Sequence, residues 1–232
     1  MNTEKGLANV AYSEQYLKWK SEIISNSLQD EYKQKETVHQ EGNYKRVITE
    51  YRNDNYYCSK NQVYDSSDTL IHEYISTYHH PFFCTPIKHN NGKEYLFYKE
   101  NLYGYSVFEI DSKRILHYIP YKSFNGGETF IATDIYYNDN NNIFAVEGCY
   151  WACPVDTVLV EINNPLKQFT KYLVLHELLD KDYEKYDDIC FVKWHGTDLE
   201  LKCYNIEIEP FSNEFINITE QNYLSSLTNK DI

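Results

Sequence analysis

No stretch of this 232-residue sequence stays apolar for the length of a membrane span, and the N-terminal run MNTEKGLANVAYSEQYLKWK has no apolar signal core. Neither insertion nor export is expected, so the sequence predicts a cytoplasmic protein. Positive charge is also scarce. Lys and Arg number 22 against 35 Asp and Glu, which leaves a net charge of −13. No basic stripe interrupts this excess. A phosphate backbone or an anionic membrane would be repelled, so nucleic acid and membrane are set aside as partners. Catalytic fingerprints are missing too. There is no G-x-S-x-G elbow, P-loop or dinucleotide fingerprint, and Gly126-Gly127 leads into a strand pattern rather than a helix. His72-Glu73 and His176-Glu177 do not continue as H-E-x-x-H, because Ser76 and Asp180 stand where the second histidine would. No cofactor is expected, and the reading leans away from an enzyme.

What the chain has in abundance is tyrosine. It holds 24 Tyr within an aromatic share of 16% and a hydrophobic share of 42%. Disordered chains lack aromatics, so this composition predicts a folded chain, and the length suffices for a core without staples. Tyr packs well on the pleated surface of strands and leaves amphipathic rings for contact surfaces. The six cysteines, Cys58, Cys84, Cys149, Cys153, Cys190 and Cys203, are expected as free thiols in a reducing compartment.

From Ser13 to about Lys35 the pattern is helical. Tyr16, Trp19, Ile23 and Ser27 follow one face with Ile24 and Leu28 beside them, and Glu14, Lys18, Lys20, Glu22, Gln29 and Asp30 lie opposite. Ser13 is the expected N-cap. The stripe must be buried, either on its own domain or on a partner. After Gly42 short β-rich runs alternate with polar turns. Strands are predicted at Tyr44–Arg52, Asn55–Ser59, Leu70–Ser76, Glu94–Lys99, Ser106–Ile110, Ile115–Ile119, Phe130–Tyr137, Ile143–Cys149, Thr157–Ile162, Tyr172–Leu178, Ile189–Trp194, Leu199–Tyr204 and Glu214–Ile218. Turn signals such as Asn90-Asn91-Gly92, Asn138 to Asn142 and His195-Gly196-Thr197 separate them. Close spacing with few helices between implies antiparallel pairing. The expected organisation is an N-terminal helical segment over 1–40 and a single β domain over 41–232.

The runs repeat weakly. Glu94-Tyr95-Leu96-Phe97-Tyr98, Asn142-Ile143-Phe144-Ala145-Val146 and Asp198-Leu199-Glu200-Leu201-Lys202 each follow a polar turn, at a spacing of about 50 residues. Thr129 to Val146, continued by Asp156 to Ile162, resembles one blade of WD-repeat-like β-propellers, without their Gly-His and Trp-Asp dipeptides. Residues 94–119 and 186–218 resemble blades in part. The resemblance implies a small or incomplete antiparallel propeller-like fold, and a β-sandwich is the alternative. The loop Gly148-Cys149-Tyr150-Trp151-Ala152-Cys153-Pro154 is similar to one in a family of bacterial proteins, a likeness that implies no activity.

That loop is the most unusual segment. Two thiols flank two large aromatics, and Pro154 cannot donate to a ladder, which predicts a loop or bulge. A zinc site would draw on Cys149 and Cys153 with Cys190, His195 and Cys203 downstream, yet no C-x-x-C pair accompanies them. A redox pair would need a tight turn to bring Cys149 and Cys153 together. The plain reading is a packing loop anchored by Trp151. Its exposed variant makes Tyr150 and Trp151 a binding hot spot. His79-His80-Pro81-Phe82-Phe83-Cys84 has no oxyanion signature and reads as a turn after a strand. The acidic run Asp180, Asp182, Glu184, Asp187 and Asp188 lacks the central Gly of a calcium loop and reads as a solvated turn.

The leading expectation is a non-enzymatic module that binds a protein partner through Tyr150, Trp151, Asp156, Asp187 and Asp188. By analogy with small acidic bacterial proteins, it could be an immunity or antitoxin type that masks a basic partner. The alternative is a metal- or redox-active protein built on Cys149, Cys153, Cys190 and Cys203. The sequence leaves the oligomeric state open.

Overall fold

Ser13 opens the first helix of the computed structural model, which describes residues 8–78, 82–180, 184–207 and 211–229. The Ser13 hydroxyl accepts the Tyr16 N–H at 3.2 Å, and Glu14 sits in the first turn, where the helix dipole favours negative charge. Helix α1 (Glu14–Ser27) ends well before the expected Lys35, with the Leu28 N–H still reaching Ile24 O. The apolar stripe stops at Leu28, so a longer helix would have no face to bury. Residues 33–41 instead form strand β1 (Lys33–Glu41), which pairs antiparallel with β2 (Tyr44–Arg52). His79, His80 and Pro81, and Asp182 of the acidic run, lie outside the described residues.

The described residues form two compact units, the first within 8–88 and 93–127 and the second within 89–92 and 128–229. In the first unit, β1, β2, β3 (Tyr57–Tyr64) and β4 (Leu70–Ser76) make one meander. Strands β5 (Cys84–Lys88), β6 (Glu94–Tyr98), β7 (Tyr105–Glu109) and β8 (Ile115–Tyr118) make another. The sequence reading lacks β5, whose Pro86 argues against a strand. Because β5 is an edge strand, Pro is tolerated there. Val63, Tyr74, Cys84, Leu96, Tyr98 and Phe108 form a buried cluster. The α1 stripe packs within this unit. Tyr16 is buried against Trp19 and against Phe124 of the short helix α2 (Tyr121–Phe124), beside Val10, Ala11 and Ile119. The segment before α1 latches onto the residues after β8. Val10 N–H donates to Ile119 O, Tyr121 N–H to Ala8 O, and the Asn9 side chain bonds the backbones of His117 and Ile119.

In the second unit, β9 (Ile131–Asn138), β10 (Ile143–Cys149), β11 (Asp156–Glu161) and β12 (Lys171–Val174) form a third meander. Strands β13 (Tyr186–His195), β14 (Asp198–Asn205) and β15 (Ser212–Ile218) form the fourth sheet, with three strands. The chain then passes through helix α4 (Glu220–Leu224) and returns as β16 (Thr228–Asn229), which pairs with β12. The expected strand Tyr172–Leu178 is broken. After Val174 the chain turns into helix α3 (Leu175–Leu179), in which Leu175 and His176 are buried. Ile143, Leu159, Leu173, Leu175, Ile189, Leu199, Leu201 and Tyr223 lead the core of this unit.

The fold class read from the sequence, antiparallel and mostly β behind an N-terminal helix, is the one observed. The second strand of each sheet begins at Tyr44, Glu94, Ile143 and Asp198, so the period of about 50 residues corresponds to one antiparallel sheet each time. No helix among the described residues is long and apolar enough to cross a membrane.

Candidate partner-binding loop

The loop at 149–155 begins where β10 runs out of room for side chains. A Cβ on Gly148 would stand 2.2 Å from Ile131 O and 2.7 Å from the Phe130 ring. Only glycine lets β10 approach β9 that closely, and the register between the two strands shifts at Glu147/Gly148. Beyond Cys149 the chain reverses. Cys153 N–H donates to Tyr150 O at 3.0 Å, and Ala152 takes a left-handed conformation with φ +60°. A non-glycine residue holds that conformation only where its surroundings impose it.

Here both sides of the loop are tied down. Trp151 N–H donates to the Glu128 carboxylate, and the Tyr150 ring sits edge-on to Phe130 at 5.7 Å. On the far side, Val155 N–H donates to Asp188 Oδ1 at 2.8 Å and Ile189 N–H donates to Val155 O at 2.9 Å. The result presents Trp151 with 63% of its surface exposed, while Tyr150 is half-buried beneath it and Cys153 is open to solvent.

Behind the loop lies a layer of buried charge. Asp156 opens β11 and accepts the Thr157 N–H at 2.7 Å, and its Oδ2 lies 3.1 Å from Nδ1 of His176. The other ring nitrogen, Nε2, is 3.0 Å from Tyr186 O. Both ring nitrogens lie close to acceptor oxygens, which favours the protonated ring. Burial alone would lower the His176 pKa. The hydrogen bond and charge of Asp156, with the Tyr186 carbonyl, outweigh it and raise the value above 6.5. Asp180 ends α3 and accepts the backbone N–H groups of Glu184, Lys185 and Tyr186; burial pushes its pKa up, and these three donors bring it below the usual carboxylate range. Glu147 joins the two sheets of the unit. Its Oε1 accepts the Phe191 N–H at 2.8 Å and its Oε2 the Tyr136 hydroxyl at 2.9 Å.

The expected binding residues therefore divide. Tyr150 and Trp151 sit together on the loop, with Trp151 on the outside. Asp188 is half-buried and braces the loop from β13, and Asp187 is half-buried next to it. Asp156 is buried and engaged by His176, so it positions rather than contacts. The cysteines do not form one cluster. Cys203 pairs with Ile189 and is buried in the core, whereas Cys190 pairs with Lys202 and so projects from the opposite face. Burial raises the Cys203 thiol to about 12 and raises Cys190 as well, which opposes the thiolate that a metal ligand or nucleophile needs. Among the described residues, no group of three or more His, Cys, Asp or Glu is placed to hold a metal ion.

Sequence reasoning missed Glu128, Glu147 and His176. Glu128 acts on a backbone N–H 23 residues away, and no local pattern announces such a bond. His176 reads as a strand residue until the helical turn of α3 aims it at Asp156. Models of protein families give no match to this chain, and no curated protein matches it.

Proposed function

We propose that this chain is a non-enzymatic protein-binding module whose Trp151 loop docks on a basic partner, in the manner of an immunity or antitoxin protein. The observation that carries the reading is the exposure of Trp151 on a loop braced by Glu128, Phe130 and Asp188. A pre-ordered aromatic anchor loses little entropy on binding, which is how a few residues come to dominate an interface. The net charge of −13 supports a basic partner, since it would steer such a surface into encounter and disfavour nucleic acid.

The test is a quantitative pull-down from the native host at low and high salt, with wild type and Trp151→Ala as baits. The wild type should recover a stoichiometric basic protein whose capture weakens as salt rises. Trp151→Ala should bind it about 30-fold more weakly, a loss of roughly 2 kcal/mol for a central aromatic. The variant's thermal stability should stay within about 0.5 kcal/mol of wild type, as for other exposed positions. Recovery of no stoichiometric partner, or equal capture by both baits, defeats the reading.

A further inference from the structure

We propose that β15 is the contact of a symmetric dimer, in which it pairs antiparallel with β15 of a second copy of this chain. The inference is independent of the Trp151 loop and rests on the strand order. In the first three meanders the third strand, β3, β7 or β11, is covered on its far side by a fourth, β4, β8 or β12. Strand β15 is the third strand of the last meander, and among the described residues it pairs with β14 alone. The segment that follows runs through α4 and adds β16 to β12 instead. Among the described residues, nothing fills the position that a fourth strand takes in the other three sheets.

The edge is built to pair. Natural edge strands are blunted by Lys, Pro, bulges or charge. Strand β1 follows that rule. Its sequence, KQKETVHQE, carries Lys33, Lys35, Glu36 and Glu41, and its ladder is shifted between Lys33 and Lys35. Strand β15 does not follow it. Its sequence, SNEFINI, has no Lys, Arg or Pro, and its register with β14 is unbroken from Asn205↔Ser212 to Leu199↔Ile218. The strand's one carboxylate, Glu214, is occupied by the Tyr186 hydroxyl and the Asn205 amide.

The side chains on the exposed face select a second copy over an unrelated strand. Asn213, Phe215 and Asn217 are exposed, Phe215 to 62% of its surface. This pattern is palindromic about Phe215. An antiparallel two-fold at that residue sets Phe215 opposite Phe215 and Asn213 opposite Asn217, and it sets Glu214 against Ile216 rather than against another carboxylate. Directly opposed aromatic and amide pairs are favourable cross-strand neighbours, and an isologous contact of this kind closes on itself. The two three-stranded sheets then become one continuous sheet.

Sedimentation equilibrium on the full chain from roughly 1 to 100 µM reads the association directly, because mass action makes the dimer concentration-dependent. Wild type should dimerise in that range. Phe215→Lys, which places two like charges opposite each other, should weaken the dimer at least tenfold while its far-ultraviolet circular dichroism spectrum matches wild type. Oxidative cross-linking checks the register. Phe215→Cys should give covalent dimer faster than wild type, whose exposed Cys153 sets the background. Asn213→Cys should not cross-link to itself above that background, but it should cross-link when mixed with Asn217→Cys. A wild-type monomer throughout the range, a dimer indifferent to Phe215→Lys, or self-linking of Asn213→Cys as fast as that of Phe215→Cys overturns the proposal.

Discussion

Replacing Gly148 with Ala adds a single methyl group to the molecule, and its effect can be worked from the geometry. The new Cβ would lie 2.2 Å from Ile131 O, 2.7 Å from the Phe130 ring and 2.9 Å from Ile131 C. Ordinary carbon contacts begin at about 3.4 Å, so strand β9 or β10 must move by about 1 Å. Two of the three obstacles are backbone atoms, which cannot rotate aside. The cost belongs at the upper end of overpacking, about 3 kcal/mol. For a chain of this size that lowers the melting temperature by about 6–12 °C. Gly196→Ala is the control. Gly196 is at φ +64° with nothing within 4 Å of its would-be Cβ, so only left-handed strain of about 1 kcal/mol applies, worth about 2–4 °C. Calorimetric melts of the two variants beside wild type make the comparison. If Gly148→Ala melts within about 2 °C of wild type, or above Gly196→Ala, the close approach of β9 and β10 is not what holds the Trp151 loop in place.

Two further predictions concern charge. The folded-state pKa of His176 is raised, so its ion pair with Asp156 contributes stability that is fully present below about pH 6.5 and is lost as pH rises through the folded value. Urea unfolding of wild type between pH 5.5 and 8.5 should show this decline, and His176→Gln should flatten it; an identical pH slope in the variant would refute the imidazolium. Glu109 behaves in the opposite sense. Burial would raise its pKa, but Lys93 and Arg114, each 2.7 Å away, bring it down to about 2. Its contribution is therefore present above its unfolded value and is lost as pH falls towards 2. Glu109→Gln should cost about 2 kcal/mol at pH 7, a figure reduced for the solvent around its two partners, and almost nothing near pH 2, as read by denaturant midpoints at the two pH values.

The parts of the fold that were legible in the sequence are those where apolar alternation coincides with the ladder. Tyr44–Arg52, Leu70–Ser76 and Ile143–Cys149 read as strands and form β2, β4 and β10 with the same bounds. The misses have separate physical causes. Strand β1 is almost wholly exposed and polar, so its only reason to be a strand is the backbone pairing offered by β2, and that is invisible in its own residues. Strand β5 was hidden by Pro86. Helix α3 was hidden because residues 172–175 are a continuous apolar run that reads equally as a buried strand, and the contacts of His176 with Asp156 and Tyr186 come from residues distant in sequence. At the candidate site, composition pointed to Trp151 and its loop, but the braces come from Glu128 and Asp188, bonds across 23 and 33 residues. The two-sided role of Asp156 could not be read, because an acidic residue at a strand start looks the same whether it faces solvent or a buried histidine.

Each unit is closed by residues far apart along the chain. In the first, Asn9 reaches His117 and Ile119 across 108 and 110 residues. In the second, β16 joins β12 through the pairs Lys171↔Asn229 and Tyr172↔Thr228, after β13, β14 and β15 have been laid down in between. Closing loops of that length before any contact repays the entropy slows folding. During synthesis the β9–β12 sheet would emerge with its outer edge still open, and it would stay open until the ribosome had delivered the fourth sheet as well. The window in which such an edge could capture the wrong strand is thus set by translation time, and slower elongation through residues 175–227 should raise the yield of misassembled chains.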